Sequence, residues 1–137
     1  MHATSNRRDL LMGVRSPEFD ESLDSDIAAA SDDFTRVALK AKAAKDYFLL
    51  VGPPGTGKTS RALRQMVETF YAEGKQILLM AYTNRAVDEI CKALTSSTHR
   101  INFIRMGSEL ACDEQYRAYL VEEVLADCTT RKQVQES

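Results

Sequence analysis

The stretch Gly52-Pro53-Pro54-Gly55-Thr56-Gly57-Lys58-Thr59 decides the fold. It fits the phosphate-loop pattern G-x-x-x-x-G-K-[ST] without a mismatch, and its flanks fit as well. Upstream, Tyr47-Phe48-Leu49-Leu50-Val51 reads as a short buried strand; downstream, Thr59 to Glu73 reads as an amphipathic helix with Leu63, Met66, Val67 and Phe70 inward. Each residue type in the loop has a task. Gly52, Gly55 and Gly57 lack a Cβ, so the backbone can take positive φ and approach phosphate oxygens. The loop amides then form a nest for anions, and the following helix adds its unpaired N-terminal N–H groups. Lys58 supplies a mobile positive charge for the β- and γ-phosphates, and Thr59 a hydroxyl for Mg²⁺. Pro53 and Pro54 fix φ at the loop entry and reduce the entropy lost on ordering. A plain glycine-rich turn between a strand and a helix is the alternative, and the complete motif with both flanks outweighs it.

Working outward, the predicted elements alternate. Residues up to about Ser31 are expected to be irregular, with a run of acidic charges from Glu18 to Asp33 that reads as a solvated linker or exposed face. A helix is predicted from Asp33 to about Lys45, capped by Asp32 or Ser31, with Phe34, Val37, Ala38, Ala41 and Ala44 on one face. Gly74 stops the helix after the loop. Gln76-Ile77-Leu78-Leu79-Met80 is a second buried strand, and Arg85 to Leu94 a helix with Val87, Ile90, Cys91 and Leu94 inward. Arg100 to Arg105 is a weaker third strand, and a last helix spans roughly Glu114 to Asp127, aligning Tyr116, Leu120 and Val124. Strand, helix, strand, helix, strand is the pattern of a parallel α/β sheet, whose ligands bind at the C-terminal ends of the strands.

The length suits one compact domain, read as an acidic N-terminal segment (1–31) and a P-loop domain (32–137). The formal net charge of −2 gives no global basic signature for nucleic acid, although loops and helix N-termini remain available for it. Cys91, Cys112 and Cys128 are widely spaced and form no Cys-x-x-Cys pair, and His2 and His99 lie near no matching ligand set, so zinc is unsupported. Idle thiols in a reducing cytosol are the simpler reading. No apolar run follows Arg7 and Arg8 as a signal peptide would require, and no stretch approaches membrane-spanning length. A cytoplasmic, or more broadly intracellular, protein without a membrane partner is expected.

A second motif follows the second predicted strand: Thr83-Asn84-Arg85-Ala86-Val87-Asp88. Taken alone it is a helix start, with Thr83 or Asn84 as cap and Asp88 and Glu89 as acidic residues of the early turns. Taken with the phosphate loop, it resembles the N-terminal RecA-like domain of superfamily 1 helicases, most closely the Upf1/Dna2-like branch. In that family the Thr-Asn-x-Ala-Val-Asp segment contacts single-stranded nucleic acid. The resemblance therefore implies that Thr83 and Asn84 lie near strand phosphates, which position a strand without reading its sequence. Arg105-Met106-Gly107-Ser108 resembles an Arg-Leu-Gly stretch common after the third strand of this branch.

The resemblance implies a P-loop NTPase (RecA-like) three-layer sandwich with a parallel sheet, present here in part. It implies ATP and Mg²⁺ as cofactors, held by Gly52, Pro53, Pro54, Gly55, Thr56, Gly57, Lys58, Thr59 and Ser60, with Lys58 and Thr59 as the catalytic pair. Single-stranded DNA or RNA and the remaining helicase domains of a parent chain are the implied partners. The chain also departs from the family. No Gln precedes Gln65 to recognise adenine, and Phe34 or Thr35 stands near that position. No apolar strand ending in Asp-Glu follows; Glu122-Glu123 falls in an amphipathic segment and reads as solvated surface. Two other readings stay open: a different P-loop enzyme, such as an AAA-type ATPase or a kinase, and a nucleotide-binding module without turnover.

Overall fold

A computed structural model describes residues 2–135. The chain forms two compact units, Met1–Lys58 and Thr59–Ser137.

Among the described residues the first unit holds three α-helices: α1 (His2–Leu11), α2 (Asp24–Ala29) and α3 (Asp33–Ala43). Two of these, and a 3₁₀ turn at Glu21–Leu23, lie in the stretch expected to be irregular. The acidic run explains part of the difference. The Asp20 side chain accepts from the Ser22 amide and caps the 3₁₀ turn, and Asp24 and Asp26 occupy the first turn of α2, where negative charge suits the helix dipole. For α3 the expectation holds: Asp32 Oδ1 accepts from the amides of Phe34 and Thr35, each at 3.0 Å. Of the expected apolar face Ala38 is buried and Phe34, Val37, Ala41 and Ala44 are partly covered; Ala43, outside that face, is buried as well.

The chain entering α3 and the chain leaving it are clasped together. Asp46 takes the guanidinium of Arg15 in a two-point pair at 2.9 and 3.0 Å, and its Oδ2 also accepts from the Glu18 amide at 2.8 Å. Backbone bonds from Asp20 N to Ala43 O and from Lys45 N to Glu18 O surround a single antiparallel bridge between Phe19 and Ala44.

A π-helical turn, Lys58–Leu63, runs into α4 (Arg64–Ala72) of the second unit, so the helix after the loop begins wider than the regular α-helix expected. It ends as predicted at Gly74, where the Gly74 amide reaches Tyr71 O and the Lys75 amide reaches Phe70 O, the paired bonds of a Schellman close. Helix α5 (Asn84–Thr95) buries Cys91, Ala93 and Leu94. Two short 3₁₀ turns, Glu109–Ala111 and Glu114–Tyr119, precede α6 (Val121–Gln135).

The predicted strands do not pair into a sheet among the described residues; one parallel bridge, Arg105 to Leu120, is all that joins residues 100–105 to a neighbour in strand fashion. Residues 76–80 and 101–106 nevertheless alternate in exposure with the period of two that an extended chain imposes. Ile77, Leu79, Ile101 and Phe103 are partly covered, whereas Leu78, Met80, Ile104 and Met106 are exposed. Residues 47–51 in the first unit behave alike, with Leu49 and Val51 exposed. The strands read as buried are thus covered on one face only. In the second unit both segments border a groove of about 920 Å³, whose lining includes Val67, Ile77, Leu79, Ile90 and Phe103 together with Leu78, Met80, Ile104 and Met106.

The last predicted helix is also corrected. It breaks at Leu120, whose ψ of 144° is extended. The reason is the bridge: Arg105 N donates to Tyr119 O at 2.7 Å and Val121 N donates to Arg105 O at 3.2 Å, so these groups leave the helical pattern. Tyr116 and Leu120 are still buried, joining Cys91 and Cys112 in the core cluster of this unit, with Val87, Phe103 and Tyr119 packed on it. Phe103 and Tyr119 stack with ring centres 4.4 Å apart.

Candidate functional site

The phosphate loop turns on two glycines. Gly55 and Gly57 have φ of 81° and 83°, a region that L side chains avoid, so the pattern's glycines answer a conformational demand. Thr56 Oγ1 donates to Pro53 O at 2.8 Å and braces the bend. The ammonium of Lys58 lies over the loop, donating to the carbonyls of Gly52 and, at 2.6 Å, of Pro53. A Cβ at Gly52 would come 3.1 Å from Thr56 Oγ1 and 3.4 Å from the Lys58 side chain. The loop is therefore a tight cradle with its cation already placed at the rim.

Thr59 and Ser60 open the second unit on the π-helical turn, both exposed. Their hydroxyls have the chemistry that Mg²⁺ and phosphate oxygens require, and the glycine cradle with Lys58 fits a polyphosphate. Pro53, Pro54, Gly55 and Thr56 are exposed too, so the loop surface is open to a ligand.

The second candidate segment starts α5. Thr83 is its N-cap, with Oγ1 accepting from the Ala86 amide at 3.2 Å, and Asn84 is the first helical residue. Both are exposed, as are Tyr82 and Arg85. An exposed helix N-terminus with a hydroxyl, an amide and a guanidinium is suited to a phosphodiester.

The residue that the sequence reading undervalued is Asp88. Read as an early-turn acid, it is instead the partner of Arg105. Asp88 Oδ1 accepts from Arg105 Nε at 3.1 Å and pairs with the charge at Nη2, 3.0 Å away, and Oδ2 accepts from the Asp113 amide at 3.3 Å. The Arg105 side chain is 1% exposed and that of Asp88 18%. Nη2 also donates to Ala111 O at 3.4 Å, while Nη1 is buried without a hydrogen-bond partner among the described residues. Gly107, at φ 143°, explains the Arg-x-Gly spacing: a Cβ there would stand 3.0 Å from Arg105 Nη1. Asp88 ends one motif and Arg105 begins the other, which was the available signal.

The buried thiols have no part in this chemistry. Burial pushes both Cys91 and Cys112 above the ordinary thiol range, away from the reactive thiolate. Among the described residues no cluster of His, Cys, Asp and Glu is arranged to hold a metal, and no helix is long and apolar enough to cross a membrane. Glu122 and Glu123 sit exposed in the first turn of α6, as expected of surface.

A family profile described as an AAA domain matches residues 26–136. The chain belongs to this family, a P-loop NTPase family, and the resemblance to the superfamily 1 helicase domain of the Upf1/Dna2-like branch holds. It is 35% identical over 122 residues to the DNA replication ATP-dependent helicase/nuclease JHS1 of Arabidopsis thaliana, covering 82% of this chain and 9% of that protein. The DNA replication ATP-dependent helicase/nuclease DNA2 is 32% identical over 134 residues in Bos taurus, covering 89% of this chain and 12% of the relative. In Homo sapiens it is 36% identical over 112 residues, covering 73% and 10%. The chain thus spans about a tenth of the length of these relatives.

Proposed function

We propose that this chain is the ATP-binding portion of an ATP-dependent helicase that, in an intact protein, couples hydrolysis to movement along a single strand of DNA or RNA. The observation that carries the reading is the loop: two positive-φ glycines with the Lys58 ammonium at the rim. Lys58 would hold the β- and γ-phosphates, Thr59 would hold Mg²⁺, and the amides of residues 52–60 would line the rest of the polyphosphate. Bound Mg²⁺ would supply charge neutralisation at the phosphates. Thr83 and Asn84 would take strand phosphates. The period-two exposure of 76–80 and 101–106 supports a parallel sheet of the RecA-like kind, completed by further strands of a parent chain. An intracellular setting and the remaining helicase domains as partners belong to the same reading. The relatives named for DNA replication favour DNA as the strand.

The test is nucleotide binding. Titration of the chain with a fluorescent ATP analogue and Mg²⁺ is expected to show weak but saturable binding. Lys58→Ala is expected to weaken it by roughly a hundredfold, the value of a lost charge-assisted contact. Hydrolysis by these residues alone is expected to be negligible, because no Asp-Glu pair stands at the end of an apolar strand to orient water. Equal binding by the parent and Lys58→Ala would remove the loop from the site.

A further inference from the structure

The pair Asp88–Arg105 sits where it can govern the strand-contacting end of α5. Asp88 follows Asn84 by four residues, so the two share one helix face about one turn, roughly 6 Å, apart. From there Asp88 is held at three points: twice by the Arg105 guanidinium and once by the Asp113 amide. Arg105 is itself pinned. Its backbone bonds to Tyr119 O and from Val121 N on either side, its Nη2 reaches Ala111 O, and Gly107 leaves room for Nη1. The helix start is thereby tied to residues 105, 111 and 113.

Apolar side chains of similar volume generally stabilise such a position as well as an ion pair does, because desolvation offsets much of the Coulomb attraction. What the charged group adds is direction: the carboxylate is held through both oxygens, Oδ1 by Arg105 Nε and Oδ2 by the Asp113 amide, which fixes rotation as well as distance.

We propose that Asp88 and Arg105 are positioning residues for strand binding, fixing the N-terminal turn of α5 so that Thr83 and Asn84 meet successive phosphates of a single strand. This rests on the reading of Thr83 and Asn84 as strand contacts. In this role Asp88 and Arg105 act through Thr83 and Asn84, and α5 is expected to stay helical when either is replaced.

The experiment compares the full chain with Asp88→Asn, Arg105→Lys and Asn84→Ala. It measures affinity for a fluorescein-labelled oligothymidylate, affinity for a fluorescent ATP analogue with Mg²⁺, and hydrogen exchange at the Ala86 and Val87 amides. Asp88→Asn is expected to lower strand affinity by roughly tenfold, with nucleotide affinity and the protection of Ala86 and Val87 retained. Arg105→Lys keeps the charge but loses the fork; it is expected to lose less, and it carries the test if Asp88→Asn does not fold. Strand affinity that is unchanged in these two variants, or that falls only together with amide protection, overturns the proposal. A parent chain that does not bind the strand, or an Asn84→Ala variant that binds as well as the parent, overturns the reading of the strand contacts and this inference with it.

Discussion

Asp88 accepts a hydrogen bond from Arg105 Nε at 3.1 Å and lies 3.0 Å from its Nη2 in an ion pair, and so joins the end of the Thr-Asn-x-Ala-Val-Asp segment to the start of Arg-Met-Gly. The two motifs are one structural device, which makes their energetics coupled.

Truncating one partner is expected to cost more than replacing both. Asp88→Ala leaves the Arg105 charge buried without its carboxylate and should destabilise the second unit by about 3 kcal/mol. Arg105→Met likewise strips Asp88 of its cation, and the double replacement Asp88→Ala with Arg105→Met should cost less than either single replacement. Urea unfolding of the four proteins in a double-mutant cycle measures the coupling; additive losses would show that the two side chains act independently.

Gly107 is expected to tolerate no side chain. Its φ of 143° lies outside the range other residues adopt readily, and a Cβ would press on Arg105 Nη1. Gly107→Ala should destabilise by about 1–3 kcal/mol, the range for a residue held in a sparsely populated conformation. Thermal unfolding monitored by circular dichroism checks this, and an unchanged midpoint would count against the close approach.

The first unit should loosen in acid. The Arg15 guanidinium and the Glu18 amide hold the Asp46 carboxyl down from 3.8 to about 2. A depressed carboxyl contributes stability that is complete above its unfolded value and is lost as pH falls through the folded one. The clasp should therefore be intact above about pH 4 and weaken between there and pH 2. A ¹³C titration of Asp46 is the check. In Arg15→Gln the midpoint should rise toward 3.8; a midpoint unmoved by that substitution would mean the pairing contributes nothing in solution.

Thiol reagents should discriminate. Cys128 is exposed, whereas Cys91 and Cys112 are buried and their thiols pushed up by burial. One thiol should react rapidly with a maleimide under native conditions, and all three only in denaturant. Mass spectrometry identifies the site, and early labelling at Cys91 would show that the core around Tyr116 and Leu120 opens readily.

The elements legible in the sequence were those whose causes are local. Helix α3 could be read because Asp32 caps it within three residues, and α5 because Thr83 does the same. The glycines of the loop announced their positive φ directly. What escaped depended on distant partners. The break at Leu120 is imposed by a backbone bridge to Arg105, and nothing in the periodicity of 114–127 reports it. Asp88 looks like an ordinary helix acid until Arg105, seventeen residues on, is placed beside it. Extended segments 47–51, 76–80 and 101–106 carried strand periodicity, but periodicity specifies alternate faces and not pairing, and the faces turned away from the helices stay exposed.

The clasp between Arg15 and Asp46 spans thirty-one residues and closes within the first unit, upstream of the phosphate loop. On a ribosome it has all its parts as soon as Asp46 clears the exit tunnel. The segment ahead of the loop can then acquire its tertiary ties while residues 52–60 are still inside the tunnel. Domains generally fold as units during synthesis. Protease protection of nascent chains is accordingly expected to begin at lengths that expose Asp46, and Arg15→Gln should delay it to longer ones.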